Sequence, residues 1–191
     1  MCVILVCPDD VRPDRATIHA CHRANPHGAG VAWREDGEVR WMKGLEPDEL
    51  ESLIAGLPGE IVIHFRWASV GEVTPRLCHP FPVTACATTR LSGHARAVLF
   101  HNGTWSAWRE TLRRMPRHRR PDGLLSDTRV AASLVDLCGK RYRKPDGYVT
   151  RFWAVYVDGE LLAVTVYRKG AIAIADLLMR TRLVSMFRIR E

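Results

Sequence analysis

Cys2 follows Met1 directly, and the small side chain at the second position normally permits removal of the initiator methionine. A chain beginning at Cys2 carries a thiol and a free α-amine on one residue. The amine, titrating at roughly 8, can take the proton of a thiol that titrates at about 8.5, so nucleophile and base come together. Three further segments carry groups that such a nucleophile needs. His64-Phe-Arg-Trp-Ala-Ser-Val-Gly71 places Arg66 where an apolar run enters a loop, the position from which a rigid scaffold presents side chains. His101-Asn-Gly-Thr104 ends another apolar run with a side-chain amide followed by a glycine. Ser126-Asp-Thr128 sets Asp127 at the start of an apolar helix. Each has an ordinary alternative: a buried strand cysteine, a surface arginine, an Asn-Gly turn, a Ser-Asp helix cap.

The elements that must hold these residues follow from patterning. Residues 2–7 form an apolar run that reads as a buried strand, and 13–25 as a helix with Pro13 in its first turn. Residues 28–34 and 38–43 flank Asp36-Gly37, a strong hairpin signal. Residues 47–55 read as a helix starting near Pro47, with Gly56 as its C′ residue. A strand over 60–67 leads into a polar loop bearing Gly71, Pro75, Pro80 and Pro82; a further strand covers 97–101. Helices are expected over 105–115 and over 127–138, the latter with Ser126 as N-cap and Gly139 at its end. Residues 151–157 and 160–167 flank Asp158-Gly159 as a second hairpin, and 171–191 fits no pattern. Strands come in hairpins rather than in β-α-β alternation, which favours antiparallel sheets covered by helices.

At 191 residues, 47% hydrophobic and 26% charged, the chain fits one soluble globular domain spanning 1–191. No apolar stretch nears the roughly 18 residues of a membrane span, and no signal peptide is evident, so no membrane partner is expected. Cysteines 2, 7, 21, 78, 86 and 138 are scattered without C-x-x-C and read as reduced cytoplasmic thiols. The His and Cys residues at 21, 22, 78, 79 and 86 match no common zinc framework, and no metal or cofactor is expected. No Gly-rich phosphate loop follows a strand. Net charge is +7, with 24 arginines among 28 basic residues. Arg113, Arg114, Arg117, Arg119 and Arg120 behind Trp105 and Trp108, and the run 140–144, form basic clusters that can bind nucleic acid. A solvated helix face running into a loop is the favoured reading, so nucleic acid is not an expected partner.

In this order, Met1-Cys2, Asn25-Pro-His-Gly-Ala-Gly30, HFRWASVG, CHPF, HNG and SDT resemble the class II glutamine amidotransferase domain of the N-terminal-nucleophile (Ntn) hydrolases. The resemblance spans about residues 1 to 138, and beyond about 170 the chain diverges. It implies an α+β fold, the four-layer αββα sandwich with two antiparallel sheets between helical layers. It implies a glutaminase: Cys2 attacks the side-chain amide of glutamine, and a γ-glutamyl thioester yields glutamate and ammonia. Arg66 is similar to the arginine that grips the substrate α-carboxylate, a role suited to a guanidinium fork. Asp127 resembles the partner of the α-ammonium. The Asn102 side chain and the Gly103 backbone N–H look like the oxyanion hole. Trp67 to Gly71, including Ser69, resembles the loop that closes over glutamine. Two positions depart from the pattern: His27 stands where aspartate is usual, and Val70 where a histidine is common. His79 reads as structural.

A chain of this length leaves no room for the synthetase domain that usually consumes the ammonia. Three readings follow: a glutaminase feeding a separate ammonia-accepting synthase; a hydrolase of γ-glutamyl amides or peptides; or a catalytically silent fold binding nucleic acid through the Arg-rich loop.

Overall fold

The computed structural model describes residues 2–9, 11–139, 153–157, 160–165 and 187–190, with side chains through residue 137. Met1, the basic run 140–144, the Asp158-Gly159 turn and most of 171–191 lie outside the described residues.

The chain is α+β. Its main sheet has five antiparallel strands in the order β1 (Val3–Cys7), β4 (Ile61–Phe65), β2 (Ala29–Glu35), β3 (Glu38–Leu45) and β6 (Ser92–Ala95). The β2–β3 hairpin forms where Asp36-Gly37 lies, with φ of 52° and 77°, the mirror-image turn that matches strand twist. β3 alternates outward Glu38 and Arg40 with inward Val39, Trp41 and Lys43, the two-residue period of a pleated strand, until a register shift beside Gly44 turns Leu45 to the opposite face.

Both faces of this sheet are covered. On one, α1 (Arg15–Ala24) and α2 (Pro47–Ile54) pack Ile18, Leu50 and Ile54 against Val31, Ile61, Ile63 and Phe65. Asp14 caps α1 by accepting the Thr17 N–H, so Pro13 precedes the cap instead of lying in the first turn. On the other face lies a two-stranded ladder, β5 (Phe81–Pro82) with β7 (Val98–Leu99). His64 of β4 stacks on His79 just before β5 at 4.0 Å, and Lys43 of β3 lies over the Phe81 ring. Beyond this ladder, α3 (Trp108–Arg114) and α4 (Asp127–Gly139) build a second core of Leu77, Phe81, Leu99, Trp105, Trp108 and Val130. Strands β8 (Trp153–Val157), β9 (Glu160–Thr165) and β10 (Phe187–Arg190) pair antiparallel in the order β10-β8-β9, in agreement with the expected second hairpin.

Several expected boundaries shift. β4 ends at Phe65, leaving Arg66 and Trp67 in the loop, and the strand expected over 97–101 shrinks to two residues. α3 starts three residues late because the Trp105 N–H is bound to the Asp127 carboxylate at 2.9 Å. β6 was not expected. No helix among the described residues is long and apolar enough to cross a membrane.

Candidate functional site

The register of β1 against β4 brings the site together. Val3 pairs with Phe65, so the residues one step beyond, Cys2 and Arg66, leave the sheet edge side by side. Cys2 Sγ then meets Trp67, accepting its backbone N–H at 3.2 Å and donating to its carbonyl at 3.5 Å. Burial pushes the thiol up from its ordinary value; the Trp67 N–H and the Arg66 charge oppose that, and Asp127 reinforces it. Cys2, Arg66 and Asp127 are therefore in one another's field, although 125 positions separate the first from the last in sequence.

Arg66 is 3% exposed. Its guanidinium donates to the Glu72 carbonyl at 2.8 Å and to the Val70 carbonyl at 3.2 Å, so it folds the following loop around itself. Each terminal nitrogen carries two N–H groups, which leaves donors for a bound carboxylate. The Val70 contact runs through the backbone, so the loop geometry does not depend on a histidine side chain there. Gly71, at φ 80°, lets the loop press against the chain ahead of α4: an added Cβ would lie 2.5 Å from the Leu125 carbonyl. Ser69 Oγ lies 2.8 Å from Thr104 Oγ1 and ties the loop to the segment after β7.

That segment carries Asn102 and Gly103. Asn102 Nδ2 donates to the Cys2 carbonyl at 2.8 Å, which leaves its second N–H for another acceptor, and its buried Oδ1 has no partner. Gly103 has φ 143°, a conformation that side chains other than glycine's rarely adopt. Asp127 is 5% exposed at the first turn of α4. Oδ2 accepts the Trp105 N–H at 2.9 Å, and Oδ1 accepts the Thr128 N–H at 2.8 Å and the Thr128 hydroxyl at 3.4 Å; a carboxylate has about four acceptor sites, so one remains, on Oδ2. Ser126 Oγ accepts the Arg129 N–H, so the cap falls to Ser126 and frees Asp127 for these contacts. All seven residues singled out from the sequence, Cys2, Arg66, Trp67, Ser69, Asn102, Gly103 and Asp127, lie on the segments that meet here.

Of the supports, the sequence reading named His79 as structural and His27 as a departure, and missed His101, Thr104 and Thr128. His101 Nδ1 lies 3.1 Å from Thr128 Oγ1 and 3.9 Å from Asp127 Oδ2. His79 Nδ1 accepts the His101 N–H at 3.3 Å, a structural role. Behind them is a buried basic layer: burial pulls His64 down to about 3, His79 well below its usual range, and Lys43 to about 7. His27 Nδ1 accepts the Ala68 N–H at 2.8 Å. The available signal was membership or adjacency: His101 and Thr128 belong to HNG and SDT, and Thr104 follows HNG directly.

One grouping among the described residues has metal-ligand geometry, with His19, Asp48 and Glu51 atoms within 4.8 Å of one another. Arg15 bridges Asp48 at 2.8 Å and Glu51 at 2.5 Å, so both carboxylates already have a cation, and the grouping sits on α1 and α2 away from Cys2. In the Arg-rich stretch, Arg114 pairs with Glu110, Arg119 with Asp136, and Arg120 donates to the Met115 and Arg113 carbonyls. No protein-family model matches the chain, and no curated protein matches its sequence.

Proposed function

We propose that this chain is a class II glutamine amidotransferase-like amidohydrolase with the four-layer αββα fold of the Ntn hydrolases. The carrying observation is the meeting of Cys2 Sγ with Trp67 and of the Cys2 carbonyl with Asn102, across 65 and 100 positions of sequence. The order α1/α2, five-stranded sheet, β5–β7 ladder, α3/α4 supports the layering, with the thiol at the sheet edge where β1 begins.

The reading requires Met1 to be removed. Cys2 Sγ then attacks the side-chain carbonyl carbon of glutamine while the freed α-amine takes the thiol proton. Asn102 Oδ1, buried and without a donor, is a free acceptor on the side chain whose Nδ2 holds the Cys2 carbonyl. The oxyanion is held by the second Nδ2–H of Asn102 and the Gly103 N–H. Ammonia leaves with the proton, and water cleaves the γ-glutamyl thioester. Arg66 and Asp127, of opposite charge and both buried, hold the α-carboxylate and α-ammonium. Trp67 and Ser69 belong to the loop that covers the substrate. The ammonia passes to a separate synthase in the cytoplasm. A hydrolase of γ-glutamyl amides or peptides is the second reading of the same residues.

The test measures glutamate released from glutamine and from γ-glutamyl amides by protein whose intact mass shows Met1 gone. Activity is expected for the wild type and none for Cys2→Ala. Asn102→Ala should lower kcat on the order of a hundredfold. Asp127→Asn should mainly raise KM. Processed wild-type protein that hydrolyses neither substrate class refutes the reading.

A further inference from the structure

The Trp67–Ala68 peptide is gripped at both ends. Its carbonyl lies 3.5 Å from Cys2 Sγ, and its N–H points the opposite way, as planarity demands, to His27 Nδ1 at 2.8 Å. The His27 ring also stacks on the Trp67 ring, centroids 5.3 Å apart at 36°. Its own backbone is fixed: the His27 N–H donates to the Arg66 carbonyl at 3.1 Å, and the Arg66 N–H to the Gly28 carbonyl at 3.0 Å. The Cys78 thiol holds the His27 carbonyl at 3.2 Å. The imidazole thus has little freedom except to accept, or fail to accept, the Ala68 N–H.

We propose that His27 is a positioning residue for the nucleophile: its neutral imidazole, with the proton on Nε2, orients the Trp67–Ala68 peptide so that the Trp67 carbonyl faces Cys2 Sγ, next to the Trp67 N–H that Sγ accepts. This role rests on the hydrolase reading only for its kinetic consequence. An imidazolium carries hydrogen on both nitrogens, so protonation sets N–H against N–H and releases the peptide. The groups facing His27 are few. Arg66 turns its guanidinium to the Val70 and Glu72 carbonyls, and Cys2 and Cys78 offer thiols. Behind Cys78 lie Lys43, donating to the Pro80 carbonyl, and Glu46, which sits 3.6 Å from His22. Among the described residues no carboxylate forms an ion pair with His27.

Two measurements test this. In the first, amide proton–nitrogen spectra of the wild type are followed against pH, together with the His27 ring. The Trp67 and Ala68 amides should move with the ring's own midpoint, and in His27→Asn that movement should vanish. Amides that ignore the ring overturn the proposal, whether or not the protein has activity. In the second, kcat/KM for the preferred γ-glutamyl amide is followed against pH. His27→Ala should lose roughly fivefold to tenfold at neutral pH, the worth of one part-buried hydrogen bond. His27→Asn, whose Oδ1 can take the place of Nδ1, should recover to within about twofold. It should also lack the acid limb of the wild type. An alanine variant as active as wild type, or an asparagine variant retaining that acid limb, counts against His27. An inert protein whose Ala68 amide tracks the ring supports His27 and sinks the hydrolase reading instead.

Discussion

Lys43 offers a quantitative test of the layer behind the site. It is 2% exposed, on β3 in phase with Val39 and Trp41, and faces the β5–β7 ladder. Its ammonium donates to the Pro80 carbonyl at 3.2 Å and sits 3.8 Å from the Phe81 ring centre. Those contacts do not offset burial, which brings it from 10.5 to about 7. The unfolded chain keeps this proton to about 10.5 while the folded chain releases it near 7, so the unfolded state binds more protons between them. Stability therefore rises with pH across that window, by up to about 1.4 kcal/mol per pH unit. Over the two units above 7, starting from half-release, the gain is roughly 2.3 kcal/mol. Above 9 the Cys78 thiol, raised by burial, works in the opposite sense, because the folded chain then holds a proton the unfolded chain has lost. The clean range is thus from about 7 to about 9. Lys43→Met keeps the length and apolar stem without the charge. Urea unfolding of both proteins at several pH values in this range gives two curves, and their difference isolates the lysine. The wild type should gain roughly 2.3 kcal/mol relative to the variant from the lower to the upper end. Curves parallel within about half a kcal/mol would refute the buried, proton-losing lysine.

Two further outcomes follow from the same layer. Gly30→Ala would place a Cβ 1.8 Å from the His79 carbonyl oxygen and 2.8 Å from Lys43 Cβ, so β2 must part from the chain before β5. Thermal unfolding should show a loss of about 3 kcal/mol or more, while Gly56→Ala, with nothing within 4 Å of its Cβ, should stay within about 1 kcal/mol of wild type. Equal melting temperatures for the two variants would contradict the packing. His64 stays neutral in the fold to about 3 whereas the unfolded ring protonates from 6.5 downward, so its contribution to stability is lost as pH falls through that interval, and His79 acts in the same direction. The His64 ring resonances should be flat from neutrality to near pH 4, and a ring titrating near 6.5 would show that the site is open to water.

What the sequence disclosed was local. The β2–β3 hairpin follows from Asp36-Gly37, and α4 from Ser126 and an apolar run, because each signal lies within a few residues of the structure it specifies. β6 has no such signal. Ser92-Gly-His-Ala95 is polar, and it is a strand because β3 offers an edge and Gly93 leaves space for the Trp41 ring, which a Cβ would approach to 2.7 Å. Lys43 was legible by phase and hidden by charge: alternation places it inward with Val39 and Trp41, and the alternation prevails. In the site, residue types announced a thiol, a charged pair and an amide. The type of Arg66 did not reveal that two of its donors hold the Val70 and Glu72 carbonyls, because the loop it folds is its own and must first be closed.

The same distinction explains why Cys2 meets Trp67 at all. Val3 and Leu5 pack with Ile63 and Phe65 into the core under α1 and α2, and that choice of face sets the β1–β4 pairing. A slip of one residue would turn Val3 and Leu5 away from the core and bring Cys2 opposite Phe65, inside the ladder, with Trp67 out of reach. The apolar residues of β1, which carry no chemistry, are therefore what aim the thiol. Replacing Leu5 by a polar residue should disturb the site through register before it disturbs any group in direct contact with Cys2.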